Sequence, residues 1–143
     1  MNATLIRVGR VVAALLVLAG GVIHLKLYFD GYRDVPNANL GRSFLLNVAA
    51  SVVVAILLLV WRSPWALVVG IVLVDATLIG FGLSRTSRGV FGFTESGFQP
   101  SPEAVLSLVV EIAAAALMIV LLAIEWSRAP DRTLAPPRTS ATV

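Results

Sequence analysis

The 143-residue chain contains no cysteine, only one histidine and few charged residues. The absence of cysteine excludes disulfides, thiolate metal sites and thiol-based catalysis in this chain. Charged residues make up 13% and hydrophobic residues 58% of the sequence. Soluble domains average about 25% charged and about 45–50% apolar residues. Both departures indicate a membrane protein, and the length suits one domain.

The chain also lacks a cluster of basic residues, although its net charge is +3. Its basic residues are scattered singly, so we expect no nucleic-acid partner. Basic flanks of membrane spans account for the same charge. Ten of the eleven basic residues are arginine, and Ala, Val, Leu and Gly dominate the chain. This composition is typical of bacteria with GC-rich genomes, so the expected location is a bacterial cytoplasmic (inner) membrane.

Long apolar runs are what the sequence has in abundance. Four of them, each 18 to 22 residues long, cover residues 11–29, 44–61, 65–83 and 104–125. A helix needs about 20 residues to cross a bilayer, and in lipid its backbone polar groups must be satisfied within the segment. The sequence therefore predicts an all-α, four-helix transmembrane bundle.

The ends of this bundle raise separate questions. Arg7 and Arg10 before the apolar residues 11–19 could form a signal peptide. The apolar character continues to Phe29 without a good cleavage site, so we expect an uncleaved first helix. The membrane domain is predicted to cover residues 1–126. The polar, proline-rich residues 127–143 are predicted to form a disordered tail.

The connections between the spans differ in length. Only Arg62-Ser63-Pro64 separates the second and third runs, which predicts a tight antiparallel hairpin. Ala76 and Gly80, four residues apart, are predicted to be the close-approach face of the third helix. The long third connection, residues 84–103, is predicted to lie on the lipid headgroups or to fold over the mouth of the bundle. Its three phenylalanines carry this prediction: Phe91, Phe93 and Phe98.

Four spans place both termini on one side of the membrane. Six basic residues fall on that side: Arg7, Arg10, Arg62, Arg128, Arg132 and Arg138. Five fall on the other side: Lys26, Arg33, Arg42, Arg85 and Arg88. The excess favours cytoplasmic termini. Three of the arginines next to the long connections form a possible rim for binding lipid headgroups: Arg42, Arg85 and Arg88.

Each apolar run carries one polar residue that hydrocarbon does not accommodate freely. These residues are His24, Asn47, Asp75 and Glu111. A charge at the bilayer centre costs about 2.5–3.5 kcal/mol on insertion scales, so such groups seek partners. Counted from the helix ends, all four lie roughly 5–12 Å below the same membrane face. The sequence therefore predicts one intramembrane polar cluster, in which His24 pairs with one of the two acids.

Several functions are compatible with such a cluster. The leading interpretation is a non-enzymatic accessory or assembly subunit whose cluster holds the bundle together. The first alternative is a proton-coupled or small-solute/lipid transporter acting as an oligomer. The second is an intramembrane redox or metal protein. One histidine and two carboxylates fall short of common metal-ligand sets, and no catalytic motif occurs. We therefore expect no catalytic residue, metal or cofactor, and as partners the lipid bilayer and either another protein or further copies of the chain.

The segments HLKLYFDGYRDVP (residues 24–36) and LGRSFLLN (residues 40–47) lie around the first connection. With the four-span plan, they resemble the small four-helix membrane proteins common in GC-rich bacteria, which are broadly DoxX-like in size and layout. The resemblance implies the four-helix plan. It implies no activity, and no functional residue is carried over from it.

Overall fold

The computed structural model describes residues 3–128 and is helical throughout its regular structure. It contains α1 (Ala3–Asp30), α2 (Ala38–Val60), α3 (Pro64–Ser84) and α4 (Glu103–Ser127). A short 3-10 helix, Tyr32–Asp34, follows α1. All four long helices are apolar and long enough to cross a membrane. This confirms the predicted all-α, four-helix transmembrane bundle.

Two helices begin well before the apolar runs that predicted them. α1 starts at Ala3 and includes the basic residue Arg10, which is buried within the bundle. α2 starts at Ala38, where the side chain of Asn37 accepts a hydrogen bond from the Asn39 amide and caps the first turn. The predicted tail begins at residue 127, but Ser127 is the last residue of α4. Residues 129–143 of that tail lie outside the described part of the chain.

Small side chains set the distances between the helices. A Cβ added to Gly21 would lie 2.9 Å from the Cβ of Ser51, so α1 and α2 approach as closely as they do only with glycine there. Gly70 on α3 meets Met118 of α4 in the same way. The buried core around these contacts consists mainly of alanine, valine and leucine: Ala13, Ala14, Val17, Val54, Ala55, Leu58, Ala66, Leu67, Val74, Ala114, Ala115, Met118 and Leu121.

α2 and α3 form the predicted tight hairpin across residues 61–63, with Ser63 as the N-cap of α3 and Pro64 at its first position. The predicted close-approach face on α3 is wrong, however. A Cβ added to Gly80 would have no neighbour within 4 Å, and Ala76 is exposed. Both residues line a cavity instead. Small residues permit close packing, but they also leave space where the neighbouring helix diverges.

A loop-side cavity as the candidate functional site

The bundle has two ends: the terminal end, with the start of α1, the end of α4 and the 61–63 turn, and the loop-side end. Loop 1 (residues 31–37) and loop 3 (residues 85–102) form the loop-side end. A cavity of about 520 Å³ lies inside this end, within the size range of small-molecule sites. Its lining comes from all four helices and both loops, and most of the side chains are apolar, including Leu27, Leu40, Phe44, Leu73, Phe81, Phe91 and Phe93.

The cavity reaches the outer surface of the bundle between α2 and α3. Leu46 and Ala50 line it from α2, and Ala76 and Gly80 line it from α3. Leu46 is 70% exposed and Ala76 is also exposed, so the same residues face the cavity and the surroundings of the bundle. Leu46 lies eight residues into α2, about 12 Å along the helix. The residues at the opening all belong to the apolar runs 44–61 and 65–83, so the opening lies within the parts of α2 and α3 that are apolar enough to span a membrane.

His24 lies in the lining of the cavity and is oriented by its own helix. Its Nδ1 donates a hydrogen bond to the carbonyl oxygen of Gly20 over 2.9 Å. In a neutral imidazole this bond leaves Nε2 as a hydrogen-bond acceptor. Within residues 3–128, Nε2 makes no hydrogen bond, and no fully buried side-chain nitrogen or oxygen lacks a partner. Nε2 is therefore accessible from the cavity.

Glu111 lies beside His24 and is also only partly satisfied. Its Oε1 accepts a hydrogen bond from Ser107 Oγ at 2.9 Å and lies 3.8 Å from His24 Nδ1. The longer distance is beyond a hydrogen bond, so the two groups are neighbours without a hydrogen bond between them. Oε2 has no hydrogen-bond partner among the described residues. We call His24, Ser107 and Glu111 the polar floor of the cavity.

Asn47 also lies in this part of the bundle, as predicted. Its amide nitrogen donates to Thr77 Oγ1 at 2.8 Å and joins α2 to α3. Asn47 lines the large cavity together with His24 and Glu111. A second cavity of about 10 Å³, large enough for about one water molecule, also touches Asn47 and Glu111. The structure therefore brings three of the four predicted polar residues together.

The prediction that Asp75 joins this cluster is wrong. Asp75 is exposed, and it lines neither cavity. Its neighbours along α3, Val74 and Thr77, face the core and α2, so Asp75 points away from the bundle axis. Matched depth was the basis of the prediction, and depth does not determine how a helix is rotated about its axis.

Loop 3 folds over the mouth of the cavity, one of the two placements expected for it. Tyr32 of loop 1 donates from its hydroxyl to Glu95 Oε1 at 2.8 Å, and its ring packs edge-on against Phe93. Burial and this hydrogen bond raise the pKa of the Tyr32 phenol above its ordinary value. Asn37 Nδ2 donates to the carbonyl oxygen of Phe91 at 2.9 Å. These contacts join the two loops above the cavity.

Arg85 holds loop 3 to the end of α3 and is not part of an open rim. Its guanidinium donates to the carbonyl oxygens of Gly97 at 3.0 Å and Gln99 at 2.7 Å, and it stacks on Phe81 with 3.5 Å to the ring centroid. Partial burial lowers the pKa of this guanidinium from its ordinary value. Arg42 and Arg88 are exposed, so only these two members of the expected rim remain available for headgroups.

The most completely bonded polar group of the described chain lies at the terminal end and is not among the predicted site residues. Arg10 Nε and Nη2 donate to Glu125 Oε1 at 2.9 Å and Oε2 at 2.8 Å. Its guanidinium also donates to the carbonyl oxygens of Trp61 and Ser63, each at 2.9 Å. We call this arrangement the terminal clamp. Arg10 and Glu125 lie near the same end of neighbouring helices, so the depth comparison applied to the other polar residues would have paired them.

Two further observations bear on the chemistry of the site. No group of three or more His, Cys, Asp or Glu side chains within residues 3–128 is arranged to hold a metal ion. A scan against protein-family models and searches of curated proteins and of solved structures found no match for this chain. The class of ligand that the cavity accepts is therefore inferred from its lining residues and their geometry.

Proposed function

We propose that this small integral membrane protein binds an amphipathic molecule, with an apolar body and a polar head, in its loop-side cavity. One observation carries the proposal: an apolar cavity of about 520 Å³ at membrane depth ends on a buried, incompletely bonded histidine and carboxylate. A cavity needed only for packing would be small and dry. Apolar walls with a few convergent polar groups are the usual composition of a ligand site.

The polar floor defines the chemistry of the head group. His24 Nε2 and Glu111 Oε2 both accept hydrogen bonds, and neither has a partner among the described residues. A head that donates hydrogen bonds suits these acceptors: a primary amine can donate to both atoms, and a primary alcohol, with its one O–H, can donate to one of them. A methyl ether of the same length cannot donate. Leaving a buried polar group unpaired costs about 1–3 kcal/mol, so we expect the alcohol to bind about tenfold more tightly than the ether.

The opening between α2 and α3 supports entry from the bilayer. Leu46 and Ala76 stand at this opening at lipid depth, whereas the loop-side mouth is covered by the Tyr32–Glu95 contact. An amphipathic molecule already in the membrane reaches the cavity by this route without crossing water. The proposal corresponds to the lipid-handling alternative among the functions expected from the sequence. The proton-coupled version of that alternative has less support, because Asp75, one of the three titratable residues expected in the cluster, lies on the outer surface.

Photo-crosslinking in phosphatidylcholine vesicles tests the proposal. The probe is hexadecan-1-ol with a diazirine in the middle of its chain. We expect crosslinks concentrated on cavity-lining peptides of α2 and α3, competed by excess hexadecan-1-ol and not by hexadecane. Crosslinks spread evenly over all lipid-facing helix surfaces, or equal competition by both molecules, would contradict the proposal.

Neighbouring alanines on α2 provide a matched pair of variants. Ala50 lines the cavity, whereas Ala49 is exposed and lies outside the lining. Ala50→Trp fills the cavity, and we expect it to reduce specific crosslinking to a small fraction of the wild-type level. Ala49→Trp adds the same side chain on the lipid-facing side and should leave crosslinking unchanged. Equal effects of the two variants would mean that the probe does not occupy the cavity.

We further propose that the protein resides in a bacterial cytoplasmic membrane with both termini inside. The composition and the arginine excess support this placement. The chain has no cysteine, so Ser96→Cys in loop 3 and Ser140→Cys near the carboxyl terminus each introduce one labelling site. A membrane-impermeant thiol reagent applied to intact cells should label position 96 and not position 140. The reverse pattern would show the opposite orientation.

A further inference from the structure

Asp75 is an acidic residue on the outer surface of a membrane-spanning helix. It lies eleven residues after the first residue of α3 and nine before the last, near the middle of the span. At 1.5 Å per residue it is about 14–17 Å from either end. Its side chain is exposed and has no hydrogen bond or ion pair with any residue in the described range 3–128.

An unpaired carboxylate at this position raises the free energy of an isolated protein in a bilayer. Acidic side chains within spans are rare, and they almost always face protein or a water-filled cavity. Asp75 does neither, since it lines neither cavity and faces away from the core. Residues 3–128 therefore provide no partner for this carboxylate.

The surface around Asp75 has the spacing of a helix-packing face. Val72, Asp75, Ile79 and Gly82 are separated by three, four and three residues, and all four are exposed. This is the spacing with which one helix packs along another at a small crossing angle. A Cβ added to Gly82 would have no neighbour within 4 Å, so a second helix could approach the backbone there.

Charge complementarity identifies the kind of helix that fits. The basic residues of the four described helices are Arg7, Arg10, Lys26 and Arg42, and all lie within eight residues of a helix end. The described helices of a second copy therefore bring no lysine or arginine to the depth of Asp75, and their one histidine, His24, is buried. Symmetric packing of two α3 helices would bring two carboxylates together, which opposes their ionisation. We propose that the outer face of α3 docks a transmembrane helix of a partner protein that carries one Lys or Arg at the depth of Asp75.

The proposal is independent of the cavity, because Asp75 and the polar floor share no contact. It agrees with the expected role as an accessory or assembly subunit. Each chain alone exposes an unpaired charged group to lipid, whereas the complex pairs the acid with the base. The complex is therefore favoured over the separate chains in the membrane. The cost of the free acid thus makes the interaction selective for a cationic partner.

A synthetic peptide tests the docking face without knowledge of the natural partner. The probe is a 21-residue leucine–alanine transmembrane peptide with one central lysine, and its control has leucine at that position. Association of the peptide with the protein in phosphatidylcholine vesicles is measured by energy transfer between a dye on the peptide and a dye on the cysteine of Ser87→Cys. Position 87 is an exposed site after α3. We expect the lysine peptide to associate about tenfold more tightly than the leucine peptide, the upper range for polar contacts between membrane helices.

Two variants distinguish the α3 face from any acid exposed to lipid. Asp75→Leu should abolish the preference for the lysine peptide. Ile112 is exposed on α4 nine residues from the loop-side end of that helix, the same distance as Asp75 on α3. Adding Ile112→Asp to Asp75→Leu moves the acid at constant depth, and we expect it not to restore the preference. Circular dichroism and melting temperature should be unchanged in both variants.

Three outcomes would overturn the proposal. The first is equal association of both peptides with the wild-type protein. The second is recovery of the lysine preference by Ile112→Asp, which would show that any lipid-exposed acid suffices. The third is self-association of the labelled protein that Asp75→Leu abolishes, which would make a second copy the occupant of this face.

Discussion

Both ends of the bundle contain ionisable side chains in its interior. These side chains are fully hydrogen-bonded at one end and only partly hydrogen-bonded at the other. At the terminal end, Arg10 bonds both carboxylate oxygens of Glu125 and two backbone carbonyls. At the loop-side end, His24 and Glu111 each keep one polar atom without a partner in the described chain, next to a cavity. A buried polar group that is fully bonded within the chain stabilises the fold, whereas one with free bonding capacity at a cavity is suited to bind.

Loss of the terminal clamp should have the largest effect on stability. Arg10→Met leaves the largely buried Glu125 carboxylate, whose side chain is 13% exposed, without its partner, and removing one member of a buried ion pair costs about 3–5 kcal/mol. We expect a large drop in the melting temperature in detergent. Binding of hexadecan-1-ol by the folded fraction should be unchanged, because the clamp lies at the opposite end from the cavity.

The double variant Arg10→Met/Glu125→Met checks that the effect comes from an uncompensated charge. An apolar replacement of both members of a buried pair is often neutral. The double variant should therefore melt at a higher temperature than Arg10→Met alone. If Arg10→Met melted like the wild-type protein, the contrast between the two ends would be lost.

Substitution of His24 in the polar floor should weaken ligand binding more than it lowers stability. His24→Leu removes one hydrogen bond, to Gly20, which is worth about 1 kcal/mol. We expect a melting temperature closer to wild type than that of Arg10→Met, together with about tenfold weaker binding of hexadecan-1-ol by competition crosslinking. A drop in melting temperature as large as that of Arg10→Met, with binding retained, would assign the floor a structural role.

The contact between the loops should have a smaller effect that depends on pH. Tyr32→Phe removes the hydrogen bond to Glu95, worth about 0.5–1.5 kcal/mol. Because the folded-state pKa of the Tyr32 phenol is raised, its contribution to stability is present below about pH 10 and is lost as the pH rises toward that raised pKa. The difference in melting temperature between wild type and Tyr32→Phe should therefore shrink above about pH 10. A difference in melting temperature that stays constant above about pH 10 would contradict a stabilising role for the Tyr32–Glu95 hydrogen bond.

The exposed ion pairs of Lys26 should matter least. Lys26 contacts Asp30 one turn further along α1 and Glu103 at the start of α4, the latter at 2.8 Å. Exposed ion pairs are screened by solvent and add little to stability. Lys26→Gln should melt within a few degrees of wild type and bind hexadecan-1-ol normally. If Lys26→Gln lowered the melting temperature or weakened binding as much as His24→Leu, the effect of a side chain at the loop-side end would depend on its position and not on its burial.

The sequence predicts the helices better than it predicts the faces they present. Run length defined four spans because lipid imposes a minimum helix length. The start of α1 was missed because Arg10 reads as a flanking charge, and its burial depends on Glu125, 115 residues away. Only the folded bundle brings these two residues together.

The candidate site was predicted in part for the same reason. Depth below one membrane face predicts a group of His24, Asn47, Asp75 and Glu111, and the structure brings three of these residues to the cavity. Depth does not determine how α3 is rotated about its axis, so the sequence does not show that Asp75 lies on the outer face. The cavity itself depends on the divergence of α2 and α3 around Gly80, which no local pattern encodes.

A high-resolution density map of the protein purified with excess hexadecan-1-ol tests ligand binding at the loop-side end most directly. We expect elongated density in the cavity, with its polar end within hydrogen-bond distance of His24 Nε2 and its chain directed toward the opening beside Leu46 and Ala76. The terminal clamp should be unchanged. A cavity closed by movement of α3, or density whose polar end lies away from His24 and Glu111, would show that the polar floor does not bind the head group.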